Sequence, residues 1–555
     1  MQSRSSRRGF LKLGAAAAAA TLAAKAAAQT TPATPATTPA TATATATAPA
    51  RGGRGGAAAA PPLPALGNGE NLAMTFQAYP GGTGALLEKM VQERGAAAFA
   101  RSEFKVEPWA GQVPASDEEI AFLPVHRLAG LIQSQKLSPV RLAQIYIDRL
   151  KKLDPKLLCA VTIMEEQGLA AANEAEAEIK AGKYRGPLHG IPWGVKDLFA
   201  ARGTPTTWGA DEYKDRVTDF DAEVVARLRA AGAVLIAKLA TGRFALGDQW
   251  YRGRTNNPWN LNAGSSGSSA GPASATAAGC VAFGIGTETR GSIVSPASVC
   301  GLAALRPTYG RVSRTGGMVL AWTQDRVGPI CRTVEDCALV FSAIHGADES
   351  DPTTLTMPFA FERNIDLSKI RIGYDRSAPQ AFIDKLKELG ANPVAMPARP
   401  RVIPGLNSLD PEEAAAFDGE LASGKLQDVD TNYGKAAPGA RGGRFTAARP
   451  ITAIDYIKVQ RHRLILMQQM ARLMQDFDLY VVQNDAGEST LTALTGNPCV
   501  VVPWNFASSG RGNVPPQPQC TFLVGALFAD DKLLSVAHAY QKATDWHEKH
   551  PVLTA

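Results

Sequence analysis

Residues 264–308 of this 555-residue chain read GSSGSSAGPASATAAGCVAFGIGTETRGSIVSPASVCGLAALRPT. Serine hydroxyls recur through the stretch, at Ser265, Ser266, Ser268, Ser269 and Ser292, and its charged residues are Glu288, Arg290 and Arg306. A surface loop of this length would carry more charge. Small uncharged residues let backbone approach backbone, and glycine permits positive φ. A flexible linker would lack the apolar run CVAFGIG at 280–286, which reads as a buried strand. The stretch is therefore read as the packed floor of a site, with serine as its candidate nucleophile.

A serine acting on a carbonyl needs a base and a site for the developing oxyanion. The seven histidines are scattered and none falls within 264–308. His189 stands near the GIPWGV strand and reads as a structural turn residue. A buried neutral lysine can replace histidine as the base. The candidate is Lys196, at the end of GIPWGV (190–195). An ordinary lysine has a pKa of ~10.4, so about 0.04% is neutral at pH 7. Its flanking Ile191, Trp193, Val195, Leu198 and Phe199 would lower that value by disfavouring the ammonium. Taken alone, a lysine at a strand end reads as a surface side chain. GSSAG at 267–271 also fits the nucleophile elbow of α/β-hydrolase esterases, with Ser269 as nucleophile. That elbow needs a strand directly before it, and NNPWNLNAGSSG is turn-like. A phosphate loop would need GK[ST] after the glycines, which is missing.

The elements that must position these residues follow from periodicity. Ser138-Pro139 marks a helix start. Leu142, Ile145, Tyr146, Arg149, Leu150 and Leu153 then share one face. A helix is predicted at 165–180 and another at 221–232, with Asp221 at its start and Gly232 at its end. GIPWGV and AVLIAKL (233–239) read as strands. The alternation predicts an α/β architecture with a largely parallel core. Later come a strand at 369–375, a helix at 380–391, a loop at 434–448, a long helix at 454–477, and strands at 479–483 and 497–503.

The N-terminus is predicted to be a targeting segment. SRRGFLK at 6–12 places paired arginines before an Ala-rich run, with AAA at 26–28 as a cleavage site. This is a twin-arginine signal over 1–28, with the export machinery as partner and a periplasmic or secreted destination. A Thr/Pro/Ala-rich tether follows at 29–67. No other segment has the apolar length of a membrane span. The chain has 58 Lys and Arg against 51 Asp and Glu. Five of the cations lie in 1–28, so the processed chain is near neutral, which excludes an electrostatic nucleic-acid binder. The seven cysteines show no CxxC pair and read as small buried hydrophobes, with a disulfide left open.

Three blocks together resemble the signature of the amidase signature family. They are GPLHGIPWGVKDLF (186–199), GSSAGPASATAAG (267–279) and GTETRGSIVSPASVCGLAALRPTYGRVSR (286–314). The resemblance runs from about 123 to 546 and is weak over 348–450. It implies one large domain at 123–555 after an N-terminal extension at 68–122, with the signature core at about 186–345. The implied fold is a mixed central β-sheet with helices on both faces. The implied reaction is hydrolysis of a small-molecule amide without metal or organic cofactor. Carried over residue by residue, Ser292 is the nucleophile, Ser268 the bridging serine and Lys196 the base. The implied cis peptide bond is Gly267–Ser268, and Ser269 is implied to help hold the lysine. The resemblance implies Ser268 rather than Ser265 or Ser266, because its 24-residue distance from Ser292 is the family's spacing. The oxyanion site is implied at the backbone amides of Thr289, Arg290, Gly291 and Ser292, successive N–H groups in a Gly-bearing turn. The sequence departs from the family pattern at Ala270, at Arg290, where glycine is usual, and at Gln483. Arg290 keeps a catalytically inactive binding protein in view. Its guanidinium needs a carboxylate partner, either Glu288 or a substrate group. An amidotransferase role on charged transfer RNA conflicts with export.

Overall fold

The computed structural model describes residues 78–553, apart from 102, 107–108, 110, 404–408, 425–447, 449 and 509–514. The expected signal at 1–28, the tether at 29–67 and nearly all of the expected loop at 434–448 lie outside the described residues.

Helices start where the sequence supplies caps. The Ser138 hydroxyl accepts from the amides of Val140 and Arg141 and Pro139 opens the helix Pro139–Leu157, whose buried face includes Leu142, Tyr146 and Leu150. Asp221 does not cap as expected. The helix Glu223–Ala230 starts after Ala222, while the Asp221 carboxylate accepts from the Arg202 amide at 2.8 Å and pairs with Arg229 at 3.1 Å.

Eleven strands form one sheet: β1 (Ala160–Ile163), β2 (Pro192–Lys196), β3 (Val234–Leu239), β4 (Gly284–Glu288), β5 (Ala303–Arg306), β6 (Arg326–Cys331), β7 (Ile372–Tyr374), β8 (Val394–Ala395), β9 (Leu479–Gln483), β10 (Cys499–Ala507) and β11 (Gln517–Gly525). Their spatial order is β1-β3-β2-β4-β6-β5-β10-β11-β9-β7-β8. β3, β2 and β4 run parallel, as do β9, β7 and β8. The pairings from β4 through β6, β5, β10 and β11 to β9 are antiparallel, as is β1 with β3. The sheet is thus mixed, and the expectation of a largely parallel core from alternation is corrected. Parallel neighbours need a crossover, usually helical. The chain supplies Glu223–Ala230 between β2 and β3 and Ala270–Ala277 between β3 and β4, but β5 reaches β6 without a helix.

Alternation along the strands divides the interior between the two sheet faces. Leu479, Val481, Val500, Val502 and Leu523 join one apolar cluster. Tyr480, Val482, Val501, Phe522 and Val524 join another. The first cluster takes residues from the helices Val125–Gln133, Pro139–Leu157, Val334–Ile344 and Asp530–Lys542. The second takes them from Ala270–Ala277, Val294–Val299 and Ala453–Leu473. Helices therefore cover both faces. All seven cysteines are buried thiols. Among the described residues no helix is long and apolar enough to cross a membrane.

The first cluster is tied by a buried carboxylate. Asp336 accepts from the amides of Val125 and His126 and lies 2.9 Å from His126 Nδ1. Burial alone would lower the His126 pKa, but the Asp336 hydrogen bond and charge outweigh it and raise the value above 6.5. A raised histidine stabilises the fold fully below its unfolded pKa, and the contribution fades as pH rises through the folded value. Wild type should therefore exceed His126→Gln in Tm by a margin that is constant below about pH 6.5 and shrinks at higher pH. Thermal denaturation across pH 5–9 checks this; a margin that grows with pH would contradict it.

Candidate active site

Lys196 ends β2 and is fully buried. Its Nζ donates to Ser268 Oγ at 2.8 Å, to Thr287 Oγ1 at 2.8 Å and to the Thr287 carbonyl at 3.4 Å. β2 and β4 pair in parallel, so the lysine and Thr287 leave the same edge of the sheet together. The site sits at the carboxyl ends of parallel strands, where open α/β sheets bind ligands.

The serines come from the segment leading into the helix Ala270–Ala277. The Gly267–Ser268 peptide bond is cis. Ser268 is buried against the lysine. A Cβ at Gly267 would stand 1.9 Å from the Gly247 carbonyl oxygen, so only glycine fits there. Ser269 bonds to Thr287, the residue that shares the lysine with Ser268. Its Oγ donates to the Thr287 carbonyl at 3.1 Å and accepts from the Thr287 amide at 3.2 Å. Its own amide donates to the Ser292 carbonyl at 3.1 Å, which latches the segment carrying Ser292 beside the one carrying Ser268. Ser265 and Ser266 lie outside this network: the Ser265 hydroxyl donates to the Ser266 carbonyl.

After β4 the chain turns sharply through Thr289, Arg290, Gly291 and Ser292. Gly291 has φ of 87°, a left-handed conformation that disfavours a side chain. Among the described residues no protein acceptor takes the amides of Gly291 and Ser292, whereas the next two amides are occupied. Those of Ile293 and Val294 donate to Glu288 Oε2 at 2.7 and 2.9 Å. The other Glu288 oxygen accepts from Arg306 at 2.7 Å, and both side chains are fully buried. Burial alone would raise the Glu288 pKa; the charges of Arg306 and Arg326 and the Val294 amide together lower it. Glu288 is therefore not the partner of Arg290, contrary to one expectation. It braces the turn from beneath. Arg290 instead donates from Nε to Gln324 at 3.0 Å. Thr289 donates to Asp325 at 2.6 Å, and the second Asp325 oxygen accepts from the amides of Leu320 and Ala321.

Sequence reading missed three supports. Thr287 shares the lysine with Ser268, and its place in GTET next to the turn is the only hint. Asp325 lies outside every glycine-rich motif. Lys238 sits inside the apolar run AVLIAKL, a position where a lysine must be paired. It is fully buried on β3 and contacts Asp197 at 2.6 Å, with Pro205 and Thr206 supplying oxygens at 3.0 Å. Burial lowers its pKa against the opposing pull of Asp197. Asp197 also accepts from the amide and hydroxyl of Thr207. The residue beside the candidate base is thus committed to a different lysine.

Breaking one side of a buried ion pair leaves an uncompensated charge and costs about 3–5 kcal/mol. Glu288→Ala and Arg306→Ala should each lower stability by that order, and the double variant by less than their sum. Chemical denaturation of the three variants checks this; additive losses would show that the two side chains act independently.

The sequence model of the amidase family matches residues 141–483. The chain is 32% identical to a glutamyl-tRNA(Gln) amidotransferase subunit of Methylococcus capsulatus, over 76% of this chain and 97% of that protein. It is 32% identical to the corresponding protein of Azotobacter vinelandii, over 77% and 99%. Native peptide amidase from Stenotrophomonas maltophilia superposes with a TM-score of 0.63 at 26% identity, over 76% of this chain and 96% of that one. The family match spans the lysine strand, both serine segments and the turn between Glu288 and Ile293. The chain belongs to the amidase signature family, whose enzymes act on carbon–nitrogen bonds.

Proposed function

We propose that this protein is an amide hydrolase that forms an acyl-enzyme on Ser292, with Ser268 and Lys196 as its proton relay. The observation that carries this reading is the 2.8 Å contact of a fully buried lysine with Ser268, in a segment latched to that of Ser292. In the proposed first step Ser292 Oγ bonds to the substrate carbonyl carbon. Its proton passes to Ser268, and the Ser268 proton passes to neutral Lys196. The carbonyl π electrons move onto oxygen, which faces the amides of the 289–292 turn. Collapse breaks the carbon–nitrogen bond, and the amine takes the proton back through the relay. Water then attacks the acyl-enzyme, returns a proton by the same path, and releases the carboxylic acid. The lysine must be neutral to begin, so that it can accept the proton.

A second reading is one component of an amidotransferase acting on glutamyl-tRNA(Gln). The 32% identity over 97% and 99% of two such proteins favours it. Ser292-dependent amide turnover by the purified chain alone supports hydrolysis; amidation of glutamyl-tRNA(Gln) only with the remaining components of such an enzyme supports the second reading. We also propose export through the paired arginines Arg7 and Arg8, which suits a hydrolase of extracytoplasmic amides.

Ser292→Ala and Lys196→Ala should each lower kcat/KM on an amide panel by roughly three or more orders of magnitude, and the double variant should be little worse, because the parts act as a unit. A fluorophosphonate probe should label wild type and not Ser292→Ala. Retention of more than about a tenth of kcat/KM in Lys196→Ala, about 1.4 kcal/mol of barrier, would remove the lysine from the role of base. Replacing Arg7 and Arg8 with Lys should leave folded, active enzyme in the cytoplasm. Unchanged periplasmic activity after that swap would exclude twin-arginine transport.

A further inference from the structure

A cavity of about 410 Å³ opens at the far end of the sheet from the oxyanion turn. Of its lining residues, Leu302 leads into β5 and Arg332 follows β6, and the antiparallel pairings put these strand ends away from Glu288. Both serine segments run from the active site towards this cavity. Ser268 and Ser269 precede the helix Ala270–Ala277, whose last residue lines it. Ser292 precedes the helix Val294–Val299, and Cys300 and Gly301 just beyond that helix line it too. At about 1.5 Å per residue the two helices are roughly 12 and 9 Å long. The cavity is therefore a place separate from the catalytic serines.

Its walls are aromatic and its charge is positive. Trp109, Phe122, Trp259 and His550 line it. The Phe122 and His550 rings are stacked, with centroids 3.9 Å apart. The Trp259 ring is fixed by its indole N–H, which donates to the Cys300 carbonyl at 2.9 Å. Small-molecule sites have this kind of lining and run to about 300–1,000 Å³. The cations of the lining are Arg127, Arg332 and Lys549, against one carboxylate, Glu548. His126 also lines it, but Asp336 matches its charge. Among the described residues Arg127 and Lys549 form no ion pair. The Arg127 guanidinium lies over the Trp109 ring at 5.3 Å, and the Lys549 ammonium over that of Trp546 at 4.1 Å. Arg332 is 7% exposed, and its partners are the carbonyls of Thr276, Val281 and Leu123 and the Tyr146 hydroxyl. Among the described residues its Nε meets no acceptor. A buried guanidinium with only neutral partners is costly, and an anion bound nearby offsets that cost.

We propose that this cavity is a second binding site, distinct from the catalytic one, and that it takes a small aromatic carboxylate. The ligand ring lies against the aromatic walls, and its carboxylate answers the excess positive charge of Arg127, Arg332 and Lys549. Aromatic faces favour a flat ring beyond the area it buries. A recess lined by one sign of charge concentrates ligands of the opposite sign. The site does not depend on the chemistry at Ser292 and stands apart from the hydrolase reading.

The test is calorimetric titration of the full-length protein with 2-naphthoate. Wild type should bind a single equivalent. Naphthalene-2-methanol keeps the ring without the charge, and cyclohexanecarboxylate keeps the charge without the ring; each should bind clearly more weakly. Reversing both exposed cations, in Arg127→Glu with Lys549→Glu, should weaken 2-naphthoate by about tenfold or more and leave naphthalene-2-methanol within about twofold. Lys89→Glu, the reversal of an exposed lysine on another helix, should leave both ligands unchanged, which separates a local site from the overall charge. Affinity for 2-naphthoate within about twofold of wild type in the double variant overturns the site. A neutral or non-aromatic analogue that binds wild type as tightly overturns the ligand class, and absence of binding by wild type at millimolar concentration overturns the proposal outright. The analogue comparison uses wild type alone, so it decides even where a variant fails to fold.

Discussion

Everything at this site depends on keeping a lysine amine out of water and within reach of a serine. An ammonium taken from water without partners is costly, so its surroundings must either pair it or favour its neutral form. The chain treats two neighbouring lysines differently. On β3, Lys238 receives the Asp197 carboxylate. On β2, Lys196 meets the hydroxyls of Ser268 and Thr287. Asp197 follows Lys196 in sequence yet reaches the other lysine, from the turn just past the end of β2.

The turn that follows β4 is held by a similar division. Glu288 caps the helix behind the turn and pairs with Arg306, which leaves the amides of Gly291 and Ser292 facing the site. A carboxylate buried there is sustained by cations on two strands: Arg306 ends β5 and Arg326 begins β6. Burial, then the like charge of Arg306, lowers the Arg326 pKa to about 9, so the support is itself finely balanced. Antiparallel pairing of β4 with β6 and β6 with β5 brings these residues to one end of the sheet. The mixed topology therefore serves the site: parallel strands carry the lysine and the turn, and antiparallel ones carry the cations behind them.

Arg290 illustrates how a departure from a family pattern acquires meaning in three dimensions. In sequence it stands two residues from Glu288, the obvious partner. In the fold Glu288 is already taken, and Arg290 reaches Gln324 just before β6. The neighbouring Thr289 reaches Asp325. The turn is thus stitched by both side chains to the segment that carries Leu320 and Met318. The turn and that segment are thus held together as one unit.

Much of this was legible in the sequence for physical reasons. A long run of small uncharged residues implies close backbone packing, and the apolar flanks of Lys196 imply burial. The shared apolar face after Ser138-Pro139 marks a helix that starts where those residues suggest, and the helix predicted at 165–180 forms over those residues. The catalytic roles themselves came from resemblance, because many serines share the same local chemistry and spacing alone cannot choose among them. Only tertiary structure decided partners that are distant along the chain. Asp325 sits 36 residues from Thr289, Lys238 sits 41 from Asp197, and Phe417 joins the apolar cluster of Leu198 and Phe244 from a helix far along the chain. Local sequence encodes propensity and burial. Which carboxylate meets which cation is set by strand order and register, and those emerge only when the whole sheet is assembled.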